Sequence, residues 1–296
     1  MRYFTFGTDW YTDVDDVMAG RILSRFHNSG QITLMGVAVN AVMPHSVPSV
    51  DAFFTHEGLP NLPIGIDLNS EACTGREMYQ PRLAALPGAW RTNTQVPAAV
   101  RIYRQALAAA PAPVDMVEVG FLQVLGELLD TQPDEYSPLN GADLLRMKCR
   151  KLWCMGGTWP KGLEYNTSNT KQTREAFAKI CKRWPSPITF LGFEVGETVI
   201  CGGLLPEEDA VKRALNDHGS PTGRSAWDPL TALLACIGDE AAAGYETVRG
   251  YASNDPVTGE NFFTSDPNGR HAYVVKTHPD EWYQAQTDAV LLAAPT

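Results

Sequence analysis

Basic residues are in short supply. The 296-residue chain carries 24 Lys and Arg against 34 Asp and Glu, a formal net charge of −10. Without a basic surplus nothing displaces counterions from a phosphate backbone, which argues against nucleic acid as a partner. Long apolar runs are also missing. No stretch approaches the length of a transmembrane helix. The start, Met1-Arg2-Tyr3-Phe4-Thr5-Phe6-Gly7-Thr8-Asp9, lacks the apolar core and small-residue cleavage site of a signal peptide. No membrane partner and a cytoplasmic location are therefore expected. The six cysteines (Cys73, Cys149, Cys154, Cys181, Cys201, Cys236) follow no zinc spacing, and a chain this long needs no disulfide staples. Several sit in apolar runs such as Leu152-Trp153-Cys154-Met155, as reduced core cysteines do. There is no internal repeat and no convincing linker. Hydrophobic residues at 44% and charged residues at 20% are ordinary globular proportions. They exclude a disordered chain, a collagen-like repeat and a coiled coil.

What is there is an alternation of strands and helices. Short apolar runs at 3–6, 32–39, 62–66, 114–119, 151–155 and 188–193 read as strands. Helical stretches are expected over 17–26, 47–57, 98–110, 122–130, 175–184 and 227–237, the last opened by Asp228-Pro229. The segment 67–97, rich in Pro, Gly and polar residues, reads as irregular. The pattern predicts one α/β domain over 1–296, a mainly parallel sheet with helices on both faces and its functional loops along one edge.

One loop stands out. Asp9, Asp13, Asp15 and Asp16 crowd into eight residues after the first strand, with no Lys or Arg among them. Like charges this close repel, so the cluster calls for a positive partner. A hard divalent cation with oxygen ligands is a natural one, and calcium tolerates irregular carboxylate geometry. The loop is not an EF-hand, because Val14 stands at the turn glycine and Gly20 at the closing Glu. A solvated acidic loop that caps the next helix is the plain alternative. An Asp-x-Asp phosphotransferase fits poorly with Asp15-Asp16 followed by Val-Met-Ala.

Five segments then resemble, in order, the calcium-dependent nucleoside hydrolases. They are Gly7-Thr8-Asp9-Trp10-Tyr11-Thr12-Asp13-Val14-Asp15-Asp16-Val17-Met18-Ala19, Gly36-Val37-Ala38-Val39-Asn40, Val117-Glu118-Val119-Gly120-Phe121-Leu122-Gln123, Met155-Gly156-Gly157 with Glu164-Tyr165-Asn166, and Ser225-Ala226-Trp227-Asp228-Pro229-Leu230. The resemblance runs from about Tyr3 to Ile237, and the tail from Asp239 onward adds little to it. It implies a Rossmann-related fold and hydrolysis of a ribonucleoside to free base and ribose. It implies calcium held by Asp9, Asp16, Asp228 and the main-chain oxygen of Gln123, with Asp9 also taking the proton of the attacking water. It implies that Asp15 binds ribose hydroxyls and that Asn40, Met155, Glu164 and Asn166 complete the sugar pocket. Carboxylates and amides suit vicinal hydroxyls, which donate and accept together. It implies a homodimer or homotetramer.

Several residues have plainer readings beside these. Asn40 can cap a strand end, Met155 can be core, Asp228 can be a helix cap, and Glu164 and Asn166 can be loop residues. The sequence also departs from the family pattern. Gly7 stands where the family has the first Asp of Asp-Thr-Asp, and 158–163 has no counterpart of an Asn that many members place before Glu-Phe-Asn. Trp227 replaces a His that can protonate the leaving base. A purine-selective subgroup has Trp at this place and activates the base by stacking. Trp10 and Trp159 are the candidates for the second face of such a sandwich, with plain packing as their alternative. None of the six histidines lies in a matching motif; His45 and His218 are in loops. The competing functions are hydrolysis of a modified nucleoside or other N-ribosyl compound, and calcium-dependent binding without turnover.

Overall fold

A computed structural model describes residues 1–294. The chain opens with β1 (Arg2–Thr8), α1 (Asp15–Asn28), β2 (Ile32–Val39), α2 (Ser46–His56) and β3 (Ile64–Ile66). Next come α3 (Gln80–Ala84), α4 (Ala99–Ala109), β4 (Val114–Glu118), α5 (Gln123–Leu128), α6 (Gly141–Lys148) and β5 (Cys149–Met155). The third quarter holds β6 (Lys161–Gly162), α7 (Tyr165–Ser168), α8 (Lys171–Arg183), β7 (Ile188–Leu191), α9 (Phe193–Gly196) and β8 (Ile200–Cys201). The last part holds α10 (Ala210–His218), β9 (Arg224–Ser225), α11 (Trp227–Ile237), β10 (Tyr245–Asn254), β11 (Asn261–Ser265), β12 (His271–Lys276) and α12 (Asp280–Leu292).

Ten strands form one sheet in the order β3-β2-β1-β4-β5-β7-β12-β10-β11-β6, and β8 pairs with β9 separately. Pairing is parallel from β3 through to β12. It is antiparallel beyond, in β12–β10, β10–β11 and β11–β6. The mainly parallel α/β sheet expected from the alternation is what forms. Successive strands run outward from β1 in one direction to β3, then cross to β4 and run the other way. Such a reversal opens a crevice at the carboxyl ends of the two strands, here β1 and β4.

Two cores cover the two faces. Val117 and Trp153 pack with residues of α1, α2, α11 and α12. Their sequence neighbours Met116, Leu152 and Cys154 pack with α4, α5, α6 and α8. Adjacent strand residues point to opposite faces, so a strand covered on both sides must be apolar throughout, as 32–39 is.

Three expectations change. The segment 67–97 is mostly irregular but contains α3 and a 3-10 turn at Asn93–Gln95. The helices α6 and α10 join those expected. The tail is structural: β12 pairs with β7 inside the sheet, and β10 and β11 extend it. Its alternating burial, typical of a half-solvated antiparallel pair, carries no long apolar run to announce it. Among the described residues no helix is long and apolar enough to cross a membrane.

Candidate active site

The crevice holds a cavity of about 300 Å³ lined by Asp9, Thr12, Asp13, Asp15, Asp16, Val119, Met155, Glu164, Tyr165, Asn166, Phe193, Arg224, Trp227 and Asp228. That is the small end of the range for small-molecule sites.

Its acidic wall is built by the ends of one strand and two helices. Asp9 follows β1, while Asp15 and Asp16 lie in the first turn of α1 and Asp228 in the first turn of α11. Helix N-termini favour negative charge, and the main-chain N–H of Asp228 donates to Asp15 Oδ2 at 3.1 Å. Asp16 accepts from the Thr8 hydroxyl and from the Trp10 N–H at 3.2 Å. These donors do not balance the charge. Asp15, Asp16 and Asp228 are buried, and each brings a carboxylate oxygen within 4.8 Å of the other two. Burial, then repulsion among the aspartates, pushes Asp9, Asp15 and Asp228 well above the ordinary carboxylate range. Burial raises Asp16 to about 6 against its hydrogen bonds from Thr8 and Trp10. An all-oxygen set without a cationic side chain fits a hard divalent metal ion.

Asp13 is the exception. Burial pushes its carboxyl up, but Arg224 donates to it at 2.6 and 2.9 Å and holds it below the usual range. Arg224 also lies over the Trp227 ring, 5.2 Å from its centroid. The ring of Phe193 stacks on Trp227 at 5.2 Å and 26°, and Trp227 Nε1 donates to the Phe193 carbonyl at 2.8 Å. The aromatic wall is thus pinned on more than one side.

The third wall comes from β5 and the loop after it. Glu164 caps α7, accepting from the N–H groups of Asn166 at 2.7 Å, Gly157 at 3.0 Å and Thr167 at 3.2 Å. Burial nonetheless raises its carboxyl to about 7. The Asn166 amide donates to the Val119 carbonyl at 2.7 Å and to Met155 Sδ at 3.2 Å. One side chain therefore ties the ends of β4 and β5 together.

Of the residues singled out in the sequence, Asp9, Asp15, Asp16, Met155, Glu164, Asn166, Trp227 and Asp228 line this cavity. Four do not. Trp10 is fully buried, with a left-handed backbone (φ 46°), its ring against Phe53, Phe54 and Tyr79 and Nε1 donating to Ser49 at 3.0 Å. Trp159 lies near-parallel to Tyr273 at 5.9 Å and against Phe190 and Phe263. The strands β11 and β12, which the tail supplies, cover it. Neither tryptophan reaches the cavity, so the expected second face of a sandwich is corrected to packing. Asn40 lies behind the wall, donating to Glu118 at 2.8 Å and accepting from the Phe121 N–H at 2.8 Å. Gln123 begins α5, and its amide donates to the Asn40 carbonyl at 2.5 Å and to Asp67 at 3.2 Å. In this turn the lining stops at Val119. Of the expected ligands, Asp16 and Asp228 share this trio with Asp15, and Asp9 lines the same cavity beside them.

His45 pairs with Glu77, and His218 bonds Ser220; neither lines the cavity. Sequence reading gave no role to Thr12, Tyr165, Phe193 and Arg224, and placed Asp13 in the acidic cluster without its arginine partner. Tyr165 sits between two residues already chosen. The Asp13–Arg224 pair joins positions 211 apart, which no local pattern signals.

No family model matches the chain, and no curated protein matches its sequence. Solved structures do match over nearly the whole length. An inosine-uridine preferring nucleoside hydrolase from Bacillus anthracis is 16% identical with a TM-score of 0.67, covering 98% of this chain and 99% of its own. A plant nucleoside hydrolase is 15% identical with a TM-score of 0.71, covering 99% of each chain. The type III effector protein XopQ, complexed with adenosine diphosphate ribose, is 16% identical with a TM-score of 0.71, covering 98% of this chain and 93% of its own. The chain has the nucleoside hydrolase fold.

Proposed function

We propose that this chain is an N-glycosyl hydrolase that cleaves ribonucleosides to free base and ribose with the help of calcium. The observation that carries the reading is the trio Asp15, Asp16 and Asp228, held at two helix N-termini and facing Met155, Glu164 and Asn166 across one cavity. The shared fold supports it.

The donor set fits the metal on chemistry: buried carboxylates, all oxygen, with no side-chain cation of their own. Asp15, Asp16 and Asp228 would hold it, with Asp9 beside them. A bound calcium ion would orient the attacking water and lower its pKa. Asp9, which follows β1 and lines the cavity beside these residues, would take the proton of the attacking water. Glu164 and Asn166 hold ribose hydroxyls while positive charge develops on the sugar. Such hydrogen bonds reject a sugar lacking a hydroxyl. At the leaving base stand Trp227 and Arg224 rather than a titratable His. Trp227 stacks on the base, and solvent supplies its proton.

Asp9, Asp13, Asp15, Asp16, Glu164 and Asp228 face a single cation, Arg224, which Asp13 already engages. A neutral nucleoside is the substrate this field admits, and its 5′-monophosphate is disfavoured. A second reading rests on Arg224 lining the cavity: an N-ribosyl compound with a modified base. We further read residues 1–296 as one domain, since both ends of the chain supply strands to one sheet. By the same resemblance it works as a cytoplasmic homodimer or homotetramer, which sedimentation would check.

The test is ribose release from a panel of purine and pyrimidine nucleosides and their 5′-monophosphates, with and without a calcium chelator. Chelator-sensitive release from nucleosides is expected. No release from any of them, in a protein that binds calcium, would leave a binder. Faster release from the monophosphates would overturn the charge argument.

A further inference from the structure

Glu118 is a fully buried carboxylate one layer behind the cavity, and no step above uses it. It lies on β4 directly beside Gly7 on β1 in the parallel register. Cross-strand neighbours in register point to the same face. A Cβ added to Gly7 would collide with the Glu118 carboxylate and with the Tyr103 hydroxyl. The missing side chain at position 7 therefore opens a lane across β1. Through it Glu118 reaches Asn40, at the end of β2 on the far side. There it accepts from Asn40 Nδ2 at 2.8 Å and from the Tyr103 hydroxyl at 2.7 Å.

Asn40 passes this position on. Its side-chain oxygen accepts from the Phe121 N–H at 2.8 Å, in the turn that leaves β4. That turn abuts the loop bearing Asp9: a Cβ on Gly120 would collide with the Asp9 main-chain nitrogen and the Asn40 side-chain oxygen. One residue earlier, the Val119 carbonyl accepts from Asn166. Two pocket residues on different walls, Asp9 and Asn166, thus rest on a turn that Glu118 holds through Asn40.

We propose that Glu118 is a positioning residue, a carboxylate supplied from β4 into the space in front of Gly7 that sets Asn40 and the 120–122 turn against Asp9. The proposal rests on the hydrolase reading only for its turnover readout. Its structural content is the coupling of position 7, Glu118 and Asn40 to the metal-binding wall.

The experiment reads calcium affinity, from the rise in melting temperature on calcium titration, alongside kcat for ribose release. The variants are Glu118→Leu, Glu118→Ala, Gly7→Asp and the double variant Gly7→Asp/Glu118→Ala. Leu fills the space but accepts no hydrogen bond. It is expected to weaken calcium binding or kcat by about 10- to 100-fold, the usual cost of losing an outer partner of a metal site. Gly7→Asp alone is expected to be impaired by collision. The double variant supplies the carboxylate from the other strand and is expected to recover most of both readouts. The control Gly7→Val/Glu118→Ala restores the volume without a carboxylate and is expected not to recover; a role in packing alone would rescue it as well. Unchanged affinity and kcat in Glu118→Leu, or a double variant no better than Glu118→Ala, would overturn the proposal. Should Glu118→Leu not fold, Glu118→Gln, which keeps an acceptor for Asn40, is expected to retain calcium binding. Its loss would count equally against the proposal. A wild-type protein that releases no ribose while the calcium readout follows this pattern would sink the hydrolase reading and leave the positioning role standing.

Discussion

The acidic wall and the aromatic wall of the cavity solve opposite problems. On the acidic wall, Asp15, Asp16 and Asp228 carry more charge than two helix N-termini can balance. On the aromatic wall, Trp227 Nε1 donates to the Phe193 carbonyl and Arg224 donates to Asp13 through Nε and Nη2. The first wall carries negative charge that no side-chain cation of its own offsets. The second has its charge paired and offers shape and aromatic surface. The contrast teaches that the cavity has two chemically different walls, one crowded with carboxylates and one aromatic, joined where Asp13 meets Arg224.

The sharpest break in that division is on the acidic side. Asp9→Ala is expected to lower kcat by about 10²- to 10⁴-fold, the range for removing a general base, while the melting-temperature rise with calcium persists. Asp228→Ala is expected to abolish that rise as well. Equal calcium responses in the two variants would erase the distinction between base and ligand. On the aromatic side, Trp227→Ala is expected to cost about 5- to 150-fold in kcat/KM for purine nucleosides, the equivalent of about 1–3 kcal/mol for one stacked base. Calcium binding is expected to be untouched. A weakened calcium response there would show that the walls are not independent.

The smallest effect concerns the third wall. Burial raises the Glu164 carboxyl from 4.5 to about 7. The folded state therefore holds this proton more tightly than the unfolded chain does. Its contribution to stability is present in full below pH 4.5 and is lost as pH rises through about 7. Without calcium, the melting temperature of Glu164→Gln is expected to fall less than that of wild type, by a few degrees, between about pH 5 and about pH 8. Parallel profiles for the two proteins would show that Glu164 is not held protonated.

The parts legible in the sequence share a cause. Val114–Glu118 and Ile32–Val39 are read as strands because both faces are buried and the run is apolar throughout. Asp9, Asp13, Asp15 and Asp16 are read as a candidate cation site because crowded aspartates have a local signature, and Asp228 is read as a helix start from Asp-Pro, its place in the site being implied by the family resemblance alone. The errors also share one. Trp10 and Trp159 sit in loops beside pocket motifs, but a loop does not say which way an indole turns. Ser49 and the Phe53–Phe54 pair claim the first, and Tyr273, from more than a hundred residues away, covers the second. The resemblance puts Asn40 in the sugar pocket, but it stands behind the cavity wall, because its partner Glu118 lies two strands over.

By itself, then, the sequence determined the alternation that makes a parallel sheet, the excess of carboxylate at the end of the first strand, and the helix that delivers Asp228. These follow from periodicity, charge and capping, which act over a few residues. Only the tertiary structure decided which carboxylates come within reach of one another, that Arg224 pairs with Asp13, and that Glu118 crosses the lane left open by Gly7. Each of those pairs residues distant in the chain through strand order and register, and such pairings have no energy until the sheet has formed.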